Sequence, residues 1–248
     1  MFLTEHVQPN RGIMNLKVTE VQHYTDTLFR IRTERPSTYR FTAGEFTMIG
    51  MGDNDVMRAY SFTNGPYDEY LEFYSIKVPD GPLTSRLQHI KVGDELEVGT
   101  KPTGTLTLAN IELGNNLYLL ATGTGIAPFI SLLRDPTTYD HFDRIHVAWS
   151  VREQAELISY NSFLQDCDIV YTPIVTRDPE WPFMNKRITK MLSAGMLIPD
   201  LDPSKNKVMV CGSNNFNNEV KSMLTDWKWQ EGTRRVAGTF VQEKAFVG

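Results

Sequence analysis

Cysteine is scarce in this chain, and its scarcity excludes two classes of protein. Among the 248 residues only Cys167 and Cys211 are cysteines. Two thiols cannot build the disulfide framework of a small secreted domain, and they cannot supply the four thiolates of an iron–sulfur cluster. We therefore expect a reduced, cytoplasmic protein.

Basic charge and long apolar runs are also lacking. The formal net charge is −5 at pH 7, which argues against sequence-independent nucleic-acid binding because such binding needs a net basic surface. No stretch has the apolar length of a membrane helix, and the first residues do not have the pattern of a signal peptide. The five histidines show no metal-ligand spacing, so no metal site is expected.

The rhythm of apolar residues changes after about residue 110, which predicts two domains. Before that point, short apolar runs are separated by Gly, Asp and Asn, which is typical of a small antiparallel barrel or sandwich. After it, apolar strands alternate with amphipathic helices, which indicates a parallel sheet with crossover connections. We predict a β domain over residues 1–104 and an α/β domain over residues 105–248, joined by a linker at 101–105.

The predicted elements can be stated by number. The strands of the first part are placed at residues 16–21, 28–32, 46–49, 57–62, 70–78 and 95–98, with a short helix at 83–89. The strands of the second part are placed at 117–121, 145–149, 169–175 and 207–211, and the helices at 128–133, 155–166, 185–194 and 217–229.

Two segments of the first part have side chains suited to a flavin dinucleotide. Arg58-Ala59-Tyr60-Ser61 offers a cation for a pyrophosphate, a ring for the isoalloxazine and a hydroxyl for its polar edge. The second segment runs from Tyr74 through a Pro/Gly turn into a short helix. Gly81 there allows close backbone approach, and the amides near Leu83-Thr84 can meet a pyrophosphate. The alternative is a plain strand–turn–helix connection with a half-buried Tyr74.

Two strand ends in the second part contain glycine. The first reads Thr122-Gly123-Thr124-Gly125-Ile126-Ala127-Pro128 and the last reads Cys211-Gly212-Ser213. Because ligands bind at the carboxyl ends of strands in an open α/β sheet, we expect both ends to face one crevice. An ordinary tight turn, and a buried packing role for Cys211, remain alternatives.

Three arginines follow strands or lie close to a strand end. Arg152 and Arg177 follow the second and third strands, and Arg187 follows the segment after them. Arginine presents a planar fork suited to phosphate, and an arginine in place of an acidic residue accommodates the 2′-phosphate of NADP. Each arginine taken alone is also compatible with a solvated surface role.

These segments, taken in chain order, resemble the bacterial ferredoxin/flavodoxin–NADP⁺ reductases over nearly the whole chain. The tail Glu243-Lys244-Ala245-Phe246-Val247-Gly248 belongs to the same resemblance. It implies an FAD-binding antiparallel β-barrel followed by an α/β, Rossmann-like, NADP-binding parallel sheet, with the C-terminal tail returning to the flavin. The implied enzyme transfers hydride between NADP(H) and FAD, and single electrons between FAD and ferredoxin or flavodoxin.

The resemblance also implies residue roles. Arg58 would contact the FAD pyrophosphate, Tyr60 would pack on the flavin, and Arg177 with Arg187 would hold the 2′-phosphate. The implied catalytic residues are Ser61, Cys211 and Ala245. The implied cofactor-binding residues are Arg58, Ala59, Tyr60, Ser61, Tyr74, Ile76, Lys77, Val78, Gly81, Pro82, Leu83, Thr84, Thr124, Arg152, Thr176, Arg177, Arg187, Gly212, Ser213, Ala245 and Phe246.

Partners and alternatives complete these expectations. We expect a monomer that binds ferredoxin or flavodoxin transiently through a basic face, for which Lys17, Lys77, Arg86 and Lys91 are candidates. A reductase subunit with its own iron–sulfur cluster is disfavoured by the cysteine count. A non-catalytic flavoprotein sensor on the same scaffold stays open as the second function. Glu243 is a candidate proton relay, although a surface carboxylate is the expected state.

Overall fold

The computed structural model describes residues 12–52 and 56–245, which form two sheets. The strands are β1 (Ile13–His23), β2 (Leu28–Glu34), β3 (Phe46–Gly50), β4 (Arg58–Ser61), β5 (Tyr70–Ile76), β6 (Glu95–Gly99), β7 (Asn116–Thr122), β8 (Arg144–Val151), β9 (Val170–Val175), β10 (Asn206–Gly212) and β11 (Phe240–Lys244). The helices are α1 (Thr84–Leu87), α2 (Ala127–Leu133), α3 (Thr137–Asp140), α4 (Asn161–Asp166), α5 (Ile188–Ser193) and α6 (Asn214–Asp226).

The first sheet is antiparallel and nearly closes on itself. Its order is β4-β3-β6-β1-β2-β5, and a bridge between Phe62 and Phe73 brings the residue after β4 against β5. Its core is a cluster of buried aliphatic and aromatic side chains, among them Phe29, Phe73 and Leu96. The six predicted strands and the barrel-like fold are confirmed.

The second sheet is parallel, and its order is β11-β10-β7-β8-β9. The chain proceeds outward from β7 through β8 to β9, and then crosses to the other side of β7 to add β10 and β11. The strand order therefore reverses between β7 and β10, which is where ligands bind in folds of this kind. The predicted α/β class is confirmed.

Two predicted helices differ from the structure for local reasons. The predicted helix at 155–166 is a 3₁₀ turn, Gln154–Ser159, followed by α4, because Tyr160 leaves helical geometry with φ −135°. The predicted helix at 217–229 begins earlier, at Asn214, because the hydroxyl of Ser213 accepts a hydrogen bond from the Phe216 amide and caps α6.

The C-terminal strand joins the parallel sheet at its edge. Strand β11 pairs with β10 from Val208↔Phe240 to Gly212↔Lys244, so the tail runs beside the glycine-containing end of β10. The predicted linker is held against the antiparallel sheet, because Thr103 exchanges backbone hydrogen bonds with Phe46. The boundary at 104/105 stays a prediction.

Among the residues with described structure, no helix has the length and apolar character needed to cross a membrane.

Candidate active-site crevice

A crevice of about 260 Å³ lies between the two sheets and is lined by residues of both. The antiparallel half contributes Phe46, Ala59, Tyr60, Ser61, Tyr74, Ser75, Ile76 and Thr84. The parallel half contributes Thr124, Ala127, Cys211, Glu243, Lys244 and Ala245. The crevice thus opens at the reversal of strand order between β7 and β10, where the topology predicts a ligand.

Strand β4 supplies one wall. It pairs along one edge with β3, where Phe46 lies opposite Ser61, and its residues Ala59, Tyr60 and Ser61 border the crevice. The Tyr60 hydroxyl is 2.9 Å from Ser75 Oγ, which fixes the ring. Burial raises the pKa of Tyr60, against the opposing hydrogen bond from Ser75, so the phenol stays neutral. Arg58 donates to the Met57 carbonyl at 3.0 Å.

Tyr74 lies in the crevice wall and is more buried than a half-exposed strand residue would be. Its side chain is only 3% exposed, so the half-buried alternative was wrong. Its hydroxyl is 2.9 Å from Ser159 Oγ, and its ring meets Tyr160 edge-on at 5.1 Å. Tyr74 therefore borders the crevice while its polar end is bound to the parallel half of the molecule.

The turn after β5 is built as the sequence predicts, but not all of it lines the crevice. Thr84 Oγ1 donates to the Val78 carbonyl at 3.1 Å, and a Cβ on Gly81 would lie 2.1 Å from Thr84 Oγ1. Leu83 is buried in the barrel core, so only its backbone is available to a ligand. The turn residues that do not line the cavity are Lys77, Val78, Gly81, Pro82 and Leu83.

The two glycine-containing strand ends are in close backbone contact. A Cβ on Gly125 would lie 2.3 Å from the Cys211 carbonyl oxygen, so the turn after β7 approaches the end of β10 as closely as backbones allow. Gly123 has φ +53° and open space around a Cβ position, so the backbone there is free to meet a ligand. The expectation that both ends face one crevice is met by Thr124 and Cys211, which both line it.

The residues after Cys211 mainly shape the turn. Burial, with a smaller contribution from Glu243, raises the pKa of the Cys211 thiol, which stays protonated. Gly212 packs so closely on Thr122 that an added Cβ would lie 2.1 Å from its hydroxyl oxygen. Ser213 uses its side chain to cap α6. Gly212 and Ser213 do not line the cavity.

The tail closes the crevice from the parallel half. The Ala245 amide donates to the Gly212 carbonyl at 2.9 Å, which holds Ala245 at the cavity wall. Glu243 is partly buried, whereas a surface position was expected, and its Oε1 accepts hydrogen bonds from the amide and the hydroxyl of Thr105, the latter at 2.9 Å. Burial raises the pKa of Glu243, against the opposing hydrogen bonds from Thr105. Phe246 lies outside the described residues.

The three predicted arginines lie at a second position on the same sheet edge. Arg177 donates its amide to the Arg152 carbonyl at 2.9 Å, so the ends of β8 and β9 bring these two residues side by side. The Val175 amide bonds the Met184 carbonyl at 3.2 Å, which draws the segment before Arg187 against β9. All three side chains are exposed. They do not line the cavity.

Thr176 is tied to its neighbour strand. Its amide and hydroxyl both donate to the Val151 carbonyl, at 3.0 and 3.1 Å. This pairing fixes the backbone from which Arg177 extends.

Sequence patterns missed several residues of the wall. Phe46, Ser75, Ala127 and Lys244 line the crevice but were not proposed. Ser75 and Lys244 are immediate neighbours of Tyr74 and Ala245, so the motifs themselves could have pointed to them. Phe46 reaches the site through its pairing with Ser61 across β3 and β4, which sequence alone does not specify.

No group of three or more His, Cys, Asp or Glu side chains that could hold a metal ion occurs within residues 12–52 and 56–245.

Comparison with known proteins gives concordant matches over most of the chain. A profile described as an oxidoreductase NAD-binding domain matches residues 119–222. A flavodoxin/ferredoxin–NADP reductase from Rhodobacter capsulatus is 46% identical over 251 residues, covering 93% of this chain and 92% of that protein. A ferredoxin–NADP reductase from Pseudomonas aeruginosa is 40% identical, covering 93% of this chain and 96% of that protein.

A solved structure matches equally broadly. The crystal structure of a ferredoxin NADP⁺ reductase from Neisseria gonorrhoeae with bound FAD and NADP superposes with a TM-score of 0.89 at 28% identity, covering 96% of this chain and 100% of that chain.

Proposed function

The chain belongs to the bacterial flavodoxin/ferredoxin–NADP reductases, and we propose that its crevice is the place where the flavin of FAD and the nicotinamide of NADP(H) meet. The protein is an FAD-dependent oxidoreductase that transfers hydride between NADP(H) and FAD and single electrons between FAD and ferredoxin or flavodoxin. The observation that carries the site is one crevice with one wall from each sheet, at the reversal of strand order.

The residues present fit a flavin dinucleotide. The cavity has aromatic and small apolar walls, with a few hydroxyls fixed by hydrogen bonds, which is the mixture that flat cofactor rings require. The open backbone at Gly123 provides a place for close phosphate approach. Arg58 and the turn around Gly81 and Thr84 hold the pyrophosphate of FAD in this proposal.

When bound, FAD supplies the redox chemistry, exchanging hydride with the nicotinamide and releasing electrons singly. The chain's own residues orient the bound rings and exclude water from the crevice. Tyr60, locked by Ser75, provides a flat wall for the flavin ring, and Ser61 places a hydroxyl at its edge. Hydride transfer depends on near-contact alignment, and the fixed rotamer of Tyr60 supplies that alignment.

The parallel half forms the nicotinamide side. Thr124 and Cys211 project from the ends of β7 and β10 into the crevice. The neutral, buried thiol of Cys211 acts through shape here, since a thiolate is disfavoured. Ala245 leaves space beside the flavin for the nicotinamide, and Arg152, Arg177 and Arg187 anchor the rest of NADP(H).

Glu243 is a carboxyl group in this wall, and we expect its replacement by glutamine to change how the stability of the fold depends on pH. A carboxyl with a raised pKa favours the folded state most below its unfolded pKa, and that contribution is lost as pH rises through the folded pKa. Glu243→Gln keeps the size of the side chain and the acceptor for Thr105. It should therefore be more stable than wild type at pH 8, and this difference in stability should be smaller at pH 5. Thermal unfolding at both values measures this.

The same variant tests proton transfer. If Glu243 holds a proton for the crevice, electron transfer to the acceptor should slow by about tenfold or more, and its pH dependence should flatten. An unchanged pH profile would show that the carboxyl only braces Thr105. Glu219→Gln, at an exposed carboxyl on α6, is the control.

The complex with the electron acceptor is inferred from the names of the relatives. The relatives are named for flavodoxin and ferredoxin, and we propose a transient complex with one of these carriers and a monomeric enzyme. Lys244 is exposed at the mouth of the crevice and adds a positive charge there. A face containing Lys17, Lys77, Arg86 and Lys91, and a cytoplasmic location, stay predictions.

Turnover separates the enzyme from the second candidate, a non-catalytic flavoprotein. We expect the purified protein to carry FAD and to reduce an artificial dye with NADPH over many cycles. Carrying FAD without turnover would favour the sensor. Adding ferredoxin and flavodoxin separately then identifies the carrier that is reduced.

A further inference from the structure

A buried carboxylate joins the two halves of the molecule outside the crevice lining. Glu72 lies on β5 and is 0% exposed. Its Oε1 accepts hydrogen bonds from Thr63 Oγ1 at 2.7 Å, from Arg134 Nη1 at 3.0 Å and from the Tyr160 hydroxyl at 3.4 Å. Arg134 and Tyr160 belong to the parallel half, so one carboxylate oxygen is directed mainly at that half.

The other oxygen is bound on the antiparallel side. Oε2 accepts from Arg32 Nε at 2.7 Å and lies 3.4 Å from Arg30 Nη1, and both arginines are on β2. Glu20 pairs with the same two arginines. Glu72 therefore stands between a cation of one half and two cations of the other.

Neighbouring hydrogen bonds also join the two halves of the molecule here. Arg134 Nη1 also donates to the Thr63 carbonyl at 3.0 Å, and the buried hydroxyl of Ser131 donates to the Asn64 carbonyl at 2.8 Å. These contacts join the end of α2 to residues 63–64, which follow β4, and the Tyr74–Ser159 bond joins the turn before α4 to β5.

The charge of Glu72 is retained in this buried position. Burial would raise its pKa, but Arg134, Thr63, Arg30 and Arg32 outweigh burial and hold the pKa below its usual range. A buried ion pair of this kind adds little net stability over apolar packing, and its best-supported role is to fix one arrangement. Removing Arg134 takes away the cation that faces Glu72 from the parallel half, while Glu72 keeps both arginines of β2.

Two rigid elements connect this network to the crevice walls. Glu72 precedes Tyr74 and Ser75 on the same strand, and both line the cavity. Arg134 directly follows α2, whose first residue, Ala127, lines the opposite wall. A shift at the Glu72–Arg134 contact is therefore transmitted to both walls.

We propose that Glu72 is a positioning residue: through Arg134 it holds the two walls of the crevice in the register that hydride transfer needs. The proposal rests on the proposed function, since it assigns a consequence to the spacing between the flavin wall and the nicotinamide wall.

The test uses the FAD-loaded enzyme, four single variants and the Glu72→Gln/Arg134→Gln double variant. Glu72→Gln and Arg134→Gln remove the charges across the contact, Arg134→Lys keeps the cation, and Glu20→Gln removes a carboxylate that pairs with the same β2 arginines. Stopped-flow reduction by NADPH, and by NADPH deuterated at the transferred position, measures the hydride step. Amide hydrogen exchange at residues 63–65 and 131–134 reports the contact itself.

We expect the rate of hydride transfer to fall only in variants that break the contact between Glu72 and Arg134. Arg134→Gln and Glu72→Gln slow hydride transfer by about tenfold, with the KM for NADPH within about threefold, because a misplacement of the order of 1 Å is costly for this step. Exchange quickens in both segments, Arg134→Lys recovers most of the rate, and Glu20→Gln stays within about twofold of wild type. The Glu72→Gln/Arg134→Gln double variant is no slower than the slower single variant.

Three results would overturn the proposal: wild-type hydride transfer in Arg134→Gln, equal slowing in Glu20→Gln, or losses that add in the double variant. If Glu72→Gln fails to fold, Arg134→Gln decides, because its side chain is 19% exposed and Glu72 keeps both β2 arginines. Failure of the wild type itself to be reduced by NADPH would instead contradict the proposed function.

Discussion

Replacing Arg177 and Arg187 together by alanine is expected to raise the KM for NADPH about 100-fold while leaving the KM for NADH within about twofold. Hydrogen bonds to charged groups contribute about 1.5–3 kcal/mol each, and every 1.4 kcal/mol or so is tenfold in affinity. Both side chains are exposed at one edge of the sheet. NADH lacks the 2′-phosphate, so it loses nothing from their removal.

Steady-state kinetics with both nucleotides measures this preference, and two single variants sharpen it. Arg152→Ala should impair NADPH and NADH alike, because only Arg177 and Arg187 are assigned to the 2′-phosphate that NADH lacks. Lys190→Ala, at an exposed cation on α5, should change neither by more than about twofold, which controls for long-range charge. Equal losses with both nucleotides in the Arg177/Arg187 double variant would remove the 2′-phosphate assignment.

Gly125→Ala is expected to slow flavin reduction by NADPH about 100-fold while FAD stays bound. The added Cβ would lie 2.3 Å from the Cys211 carbonyl oxygen and 2.6 Å from its carbon, so the ends of β7 and β10 must move apart. Overpacking of this kind costs about 1–3 kcal/mol of stability, and a displacement near 1 Å costs about 100-fold in a step that depends on alignment. The barrel half, which holds FAD in our proposal, is untouched.

A matched variant separates this effect from general destabilisation. Gly195 has φ +68° and open space around a Cβ, so Gly195→Ala strains the backbone by about 1–2 kcal/mol without a clash. It should lower the melting temperature and keep the rate of flavin reduction. A Gly125→Ala protein that is reduced by NADPH at the wild-type rate would contradict the close fit assigned to this turn.

Much of the fold is readable from the sequence because local signals and global topology agree. Glycines after apolar runs marked the ends of β7 and β10, and the alternation of strands and helices implied that both ends reach one edge of a parallel sheet. The start of α6 was also marked, since Ser213 is a good N-cap residue, although the predicted helix began three residues later.

What sequence could not specify depends on contacts between distant segments. Leu83 lies in a turn motif suited to phosphate, yet its side chain fills the barrel core. Tyr160 interrupts a helical pattern, and its hydroxyl lies 3.4 Å from Glu72, which is 88 residues away in the chain. Glu243 resembles a surface residue of a tail until β11 pairs with β10 and brings it beside Thr105. Such positions follow from three-dimensional packing, which outweighs local pattern.

Anaerobic stopped-flow mixing with NADPH tests the central claim most directly. The protein is predicted to be isolated with FAD, and its flavin absorption band should bleach rapidly with NADPH and far more slowly with NADH. Addition of oxidised ferredoxin or flavodoxin should then restore the band as electrons leave. A protein that takes up no FAD, or a bound flavin that NADPH does not reduce, would contradict the account.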